Sequence, residues 1–583
     1  MKRFACTLLL AGLSQTLLAL TPIPTPKAMT LHPGVRPVAE PIIQHDATLP
    51  PEGYRLTITP EAITLAAADE AGLFYARQTL SQLAAPGGET LPLCEITDAP
   101  SLAIRGFMHD TGRNFQTIDE LKAQLDLFAR YKLNTFHWHL TDRPAWRIAS
   151  RAYPQITSLA GRQPTRDPND SYTYDQIRDL IAYAKVRHIR IIPELDMPGH
   201  SDFFKPVFGF TMDSPQGIEV LKALITEFCR EVPAEDCPIL HIGSDEVRIA
   251  DPAGFMNTIE THVRSLGRIP MIWSPGLPST HDETLLQYWS EDPSRLQYVR
   301  GNHPVVDSSG GYLNLHDPQQ IVLSQFTHPL PAGATGAILC CWPDANVDDT
   351  ATIFRHNAVW PALLAFAEAA WHRPGTLSDL AAFEPTLEAH RDAFFAGKPF
   401  DYIAHMRHTW HMTAPEQRTL QGSAFLFSTR GAKVMLAPKT GTIAELTATL
   451  TLTHPTTFHL RLGFDSPGRS NRYAGGIPQN GSFDANGGEL LINGIPLIGP
   501  TYQAPGTRRY AFDTWFHPDN EIAFGDEEFW WLREPTPITL PAGTHTFTLR
   551  VPIALPKQYW AVACLPVQKH NGRWVDDPTI TFE

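Results

Sequence analysis

Residues 103–142, AIRGFMHDTGRNFQTIDELKAQLDLFARYKLNTFHWHLTD, hold one complete strand–helix–strand unit. The runs 103–108 and 135–139 are short and β-rich. Between them Ile118, Leu121, Leu125 and Phe128 recur at the spacing of one helical face. Thr117 with Glu120 three residues later makes a capping box, whose side chains satisfy the unpaired N–H groups at a helix start. Working outward, the alternation continues through candidate strands at 190–193, 239–243, 270–273, 285–288, 305–307 and 337–341. Eight strands separated mainly by helices or long connections predict an α/β fold, a (β/α)8 TIM barrel over 101–400.

The flanks read differently. In residues 23–100, alternation at 54–58 predicts a half-buried strand. The stretch 72–83 carries Leu73, Ala76, Thr79, Leu80 and Leu83 on one helical face. That pattern predicts a small α+β domain. Over 401–583 the helical pattern fades, and 445–452, 457–462, 489–492 and 546–551 read as strands between turn residues. A C-terminal β-sandwich accessory domain is expected there. Its role is left open between packing on the barrel, glycan binding and assembly, and the oligomeric state is not readable.

Residues 1–22 have the form of an export signal: Lys2 and Arg3, then an apolar run from Phe4 to Leu20. Gly12, Ser14 and Gln15 interrupt that run, and a Pro-rich stretch follows at once, which argues against a membrane anchor. The expectation is an exported chain, periplasmic or extracellular, with no membrane span after signal removal. A net charge of -14 repels phosphate backbones and disfavours nucleic acid as a partner. Cys229 and Cys237 are close enough in sequence to pair, and buried free thiols are the equal alternative. Asn169-Asp-Ser171 and Asn480-Gly-Ser482 are glycosylation sequons.

In such a barrel, chemistry gathers where strands run out at the C-terminal face. Asp142 follows the second strand, Glu194, Asp196 and His200 the third, and His241, Asp245 and Glu246 close the fourth. Adjacent strand side chains point to opposite faces, so Asp245 and Glu246 can serve one ligand only where the strand gives way to its loop. Gly243 and Ser244 are small enough to permit that turn. Two neighbouring carboxyls in different surroundings can divide the roles of acid and anion. His137-Trp138-His139 is compatible with metal ligation or with a polar barrel layer. No third ligand is evident by spacing, so no metal and no cofactor are expected. Trp273, Trp289, Tyr312 and Trp342 stand at or just after late strands. They read either as core or as walls for a sugar ring or methyl group.

Together, RGFMHDTGRNF (105–115), YKLNTFHWHLTD (131–142), IIPELDMPGHS (191–201), HIGSDEV (241–247) and WPALLAFAEAAW (360–371) resemble glycoside hydrolase family 20, the β-N-acetylhexosaminidases. GLFYARQTLSQL (72–83) and ITDAP (96–100) resemble that family's small N-terminal domain. The resemblance implies removal of a terminal β-linked N-acetylhexosamine from a glycan, with the substrate's acetamido oxygen as nucleophile. It implies Glu246 as the acid, Asp245 as orienter of the acetamido group, and Trp273, Trp289 and Trp342 as walls around the acetyl group. Tyr312 would bond the acetyl carbonyl, Asp142 and His200 would support the acid, and Arg105 would grip sugar hydroxyls. Asn314 stands where the family commonly has aspartate, and Asp344 where glutamate is usual. In the family both positions commonly meet outer hydroxyls of the terminal sugar, so the resemblance attaches to them the expectation of an altered C4 or C6 position, with an anionic substituent as one version. The alternatives are a carbohydrate-binding relative without catalysis, or a hydrolase of a modified or disaccharide terminal unit.

Overall fold

The computed structural model describes residues 20–84, 87–290, 303–314, 317–331, 333–344, 347, 349–372, 377–428, 441–464, 488–497, 529–552 and 559–583. The export-type segment up to residue 19 and the Asn480 sequon lie outside these residues.

The barrel strands, β1 to β8, are Ile104–Asp110, Thr135–His139, Arg190–Glu194, Ile239–His241, Ile269–Ser274, Leu285–Tyr288, Val305–Asp307 and Ala334–Cys341. All neighbours pair in parallel, and β8 pairs with both β7 and β1, which closes the ring. Alternation sorts the side chains. Phe136 and Trp138 of β2 face outward into the core shared with the surrounding helices. Met108, Ile192, Ile239, Met271, Val306 and Ile338 fill the interior. The helix Ile118–Arg130 forms after β1, and its capping box is present with both reciprocal hydrogen bonds. The apolar helix Val359–His372 follows β8 and is buried along most of its length.

Ahead of the barrel, a five-stranded sheet carries the helix Glu70–Ala84. That helix buries Tyr75, Ala76, Thr79, Gln82 and Leu83, whereas Leu73 and Leu80 are only half-buried. Gln82 displaces the expected leucine face because its amide is needed inside. It accepts from Ile23 N at 2.7 Å and donates to Ile23 O and Arg130 O, both at 2.8 Å. This ties the segment around Ile23 to both domains. The C-terminal part forms a six-stranded and a five-stranded sheet among the described residues. One apolar cluster, with Trp410, Leu446, Phe458, Leu460, Phe547 and Leu549, lies between them, as in a β-sandwich. Cys229 and Cys237 are free thiols, which settles the open disulfide reading for this structure.

Candidate active site

Strand register builds the floor of the site. Asp110, His139, Glu194 and His241 occupy one level across β1 to β4. Each closes its strand, so four polar side chains converge at the C-terminal mouth. Glu194 is the hub. Its Oε2 lies 2.8 Å from His137 Nε2 and 2.5 Å from His139 Nδ1, and its Oε1 accepts from Trp273 Nε1 at 2.7 Å. His241 Nδ1 lies 3.1 Å from the same Oε1. Burial alone would protonate Glu194. The surrounding imidazoles, His139 foremost, override burial and hold the carboxyl well below its usual range.

A charged chain runs outward from this hub. His139 Nε2 lies 2.9 Å from Asp142 Oδ2, and Asp142 Oδ1 lies 3.5 Å from His200 Nδ1. His200 Nε2 lies 3.6 Å from Glu246 Oε2. Burial works against a charge on His200, but Asp142, Asp196 and Asp245 push its pKa up to about 10. His200 is therefore a cation at neutral pH, beside the carboxyl of Glu246. Asp142 is held low, against its own burial, by Arg113 and His200.

The loop after β4 turns sharply. Gly243 has φ +66°, and a Cβ there would lie 1.7 Å from Asp196 Oδ1, so only glycine fits. Ser244 and Glu246 then adopt φ of 92° and 48°, and His200 across the site 48°. Such left-handed conformations are costly for residues with a Cβ and persist where packing enforces them. The turn leaves Asp245 half-buried and Glu246 exposed. Desolvation, with Glu246 beside it, raises Asp245 to about 6. Asp196, buried near Asp245 and Glu194, is pushed well above the usual range.

The aromatic residues form one continuous wall. The Trp273 and Trp342 rings lie 5.7 Å apart, and Trp342 meets Tyr312 edge-on at 5.7 Å. Tyr312 in turn faces Trp289 at 6.5 Å and 11°. The indole of Trp289 is anchored on Pro275 O at 2.7 Å. At the outer end Asn314 Nδ2 donates to Asp344 Oδ2 at 2.7 Å.

Of the residues selected from sequence, the structure gathers Asp142, His200, Asp245, Glu246, Trp273, Trp289, Tyr312, Asn314, Trp342 and Asp344 around this mouth. Arg105 is the correction. It lies near the start of β1 on the outward side shared with Phe107, five residues before the strand's end. Its guanidinium donates to Glu52 Oε2, Leu102 O, Lys132 O and Tyr75 OH and lies over the Trp371 ring, beneath the barrel. Arg113 stands at the mouth instead. It pairs with Asp110 at 2.5 Å and Asp142 at 3.0 Å, reaches toward Asp344 at 3.7 Å, and lies over the Trp342 ring at 5.1 Å. Strand alternation was the signal against Arg105, and position beyond the strand end the signal for Arg113. Glu194 and His139 were visible at strand ends but not as one network.

His137, Glu194 and His241 offer ligand atoms within 4.8 Å of one another, a spacing a metal ion could use. The indole N–H of Trp273 aims at the same carboxylate, however, and a donor there suits a hydrogen-bonded hub better than a cation.

Comparison with known proteins agrees with this fold. Residues 103–207 match the glycosyl hydrolase family 20 catalytic domain, and residues 7–99 match domain 2 of the same family. A β-N-acetylhexosaminidase of Cellulomonas fimi is 31% identical over 300 residues, covering 45% of this chain and 60% of that protein. A β-hexosaminidase of Porphyromonas gingivalis is 38% identical over 170 residues, covering 27% of this chain and 22% of that protein. The chain thus spans less than two thirds of the length of either relative. The crystal structure of a β-N-acetylhexosaminidase from Bacteroides fragilis shares the fold, with TM-score 0.57 and 24% identity over 65% of this chain and 96% of that one. With domain 2 and the catalytic domain matched in order, and the barrel closed around the segments that carry the resemblance, residues 7–207 are those of glycoside hydrolase family 20 domains.

Proposed function

We propose that the chain is an exported, retaining exo-β-N-acetylhexosaminidase that removes terminal N-acetylhexosamine from glycans. The observation that carries this reading is the Asp245–Glu246 turn, backed by His200 and Asp142 and facing the Trp273–Trp342–Tyr312–Trp289 wall. Aromatic faces pack on sugar C–H groups and on an acetyl methyl.

In the first step the acetamido oxygen of the substrate attacks the anomeric carbon. The glycosidic C–O bond breaks, and Glu246 gives its proton to the leaving oxygen. Asp245 bonds the acetamido N–H and, as an anion, stabilises the positive oxazolinium that forms. In the second step the Glu246 carboxylate takes a proton from water, which adds to the anomeric carbon and reopens the ring. Two displacements at one centre retain configuration.

At the outer end the charge balance favours neutral hydroxyls. Arg113 is shared among Asp110, Asp142 and Asp344, and Asn314 is bonded to Asp344, so this end presents acceptors to a sugar. An anionic C6 substituent would meet carboxylates. Chromophore release from aryl N-acetyl-β-glucosaminide and galactosaminide tests the reading, with Glu246→Gln as control. Turnover by the wild type that falls at least 10²-fold in the variant supports it. Glycan binding without turnover would put a carbohydrate-binding protein in its place. The export reading rests on Lys2, Arg3 and the apolar run to Leu20. No helix among the described residues is long and apolar enough to cross a membrane.

A further inference from the structure

Two barrel loops supply the outer end of the pocket: the one carrying Tyr312 and Asn314 and the one carrying Trp342 and Asp344. The first is held from the C-terminal domain. Trp530 of that domain donates its indole N–H to Asp317 Oδ2 at 3.1 Å, and both residues are buried. Asp317 lies three residues beyond Asn314 and caps the helix Pro318–Thr327, accepting from Gln319 N at 2.7 Å. Near the other end of that helix, Gln325 donates to Gly310 O at 2.9 Å, two residues before Tyr312. Gly310 and Asp317, which flank Tyr312 and Asn314 in sequence, are thus both held by one helix, and Trp530 fixes the cap of that helix.

A second contact from the same domain falls after β8. Phe529 packs on His356 with ring centroids 4.4 Å apart. His356 ends the helix Ala351–His356, which follows the Trp342–Asp344 segment. Trp530 is held from behind by a buried cluster that includes Ile403, Ala424 and Leu565. A buried N–H to carboxyl bond backed by packed rings holds orientation, because neither partner can turn to water instead.

We infer that Trp530, through Asp317, is a positioning residue for Tyr312 and Asn314, so that the C-terminal domain sets how well the pocket holds the outer hydroxyls of its sugar. The sugar part of this inference rests on the proposed reaction.

Trp530→Phe removes the donor and keeps a ring. Asp317→Asn keeps an oxygen for the helix cap but turns an amide toward the indole, and it decides the matter if the first variant does not fold. Two readouts are needed: hydrogen exchange of peptides within 303–314, and kcat and KM for the aryl glucosaminide and galactosaminide, which differ at C4. We expect exchange at least threefold faster in that segment. KM should rise about three- to tenfold with kcat within about twofold, and the ratio of kcat/KM between the two sugars should change. Unchanged exchange in a folded variant overturns the inference whatever the kinetics. Faster exchange with unchanged KM and unchanged sugar ratio overturns its link to substrate. If the wild type turns over neither glycoside, the reaction reading and the sugar part fall with it, and the exchange result alone decides the positioning role.

Discussion

The indole N–H of Trp273 donates to Glu194 Oε1 at 2.7 Å, while Oε2 of the same carboxylate lies 2.5 Å from His139 Nδ1. One buried side chain therefore orients both a wall of the pocket and the first member of the chain that runs through Asp142 and His200 to Glu246. His139 is pushed well above the ordinary histidine range, Glu194 and Asp110 overriding the effect of burial, so it donates to carboxylates on both sides. His137 stays neutral, lowered to about 4 by burial, and donates to Glu194 through Nε2. Glu194→Gln leaves the shape and removes the charge that the His139 cation needs. Breaking a buried pair of this kind costs about 3–5 kcal/mol, which denaturant unfolding would read. We also expect kcat/KM to fall about 10²-fold. Full activity in a destabilised variant would restrict Glu194 to a structural role.

Arg105 and Arg113 make a matched pair of tests. Arg113 is held between Asp110 and Asp142 over the Trp342 ring, so Arg113→Lys loses the planar fork that meets several acceptors at once. Its KM should rise at least tenfold, with a smaller loss of stability. Arg105→Lys breaks bonds to Glu52, Leu102 and Tyr75 beneath the barrel. It should lower stability by about 1–3 kcal/mol and leave KM within about twofold. Exchanged outcomes would return Arg105 to the pocket.

The barrel was legible because its evidence is periodic. All eight candidate strands are present, and the Thr117–Glu120 box starts its helix as the pattern requires. The strand-end rule likewise found the Asp245–Glu246 turn. Arg105 was misplaced because a motif was read without strand alternation, which turns it outward with Phe107. The Glu194 hub was hidden because it joins β2, β3, β4 and β5 side chains, and only inter-strand register brings those together. Gln82 shows the same limit from the other side: a helix face drawn from apolar spacing misses a buried amide whose partners lie in distant segments.

Asp245 predicts opposite pH effects on activity and stability. Its folded pKa of about 6 lies above the ordinary 3.8, so the folded state binds the proton more tightly than the unfolded chain does. Ionising it therefore costs stability as pH rises from about 4 to about 6. The proposed reaction requires the anion, so kcat/KM should fall as pH drops through about 6. Asp245→Asn should be more stable than the wild type at pH 7.5 by roughly 1 kcal/mol, a figure discounted for partial exposure. The difference should vanish near pH 4, while activity falls about 10²–10³-fold. Thermal unfolding at the two pH values checks the sign. A variant less stable at pH 7.5 would show that the carboxylate is well satisfied in the fold.

Asn314 and Asp344 stand together at the outer end of the pocket. The Asn314 amide donates to Asp344 at 2.7 Å, and Arg113 stands 3.7 Å from the other oxygen of Asp344. Burial raises Asp344, while Arg113 and the Asn314 amide pull it back toward ionisation. Asn314→Asp, which restores the carboxylate common in the family, would replace that donor with a second anion at hydrogen-bond distance. Two carboxyls so close cannot both ionise readily, and one of them would take a proton near neutral pH. At pH 7 the variant should therefore bind sugar more weakly, with KM raised about three- to tenfold. Part of that loss should be recovered at lower pH, once the pair shares a proton, as aspartic dyads do. The ratio of glucosaminide to galactosaminide turnover should shift with it, because C4 is where the two sugars differ. Measuring KM for both sugars from pH 5 to 8 separates the outcomes. A KM that is unchanged and flat with pH would mean that Asn314 faces away from bound sugar and that Asp344 and Arg113 select the substrate without it.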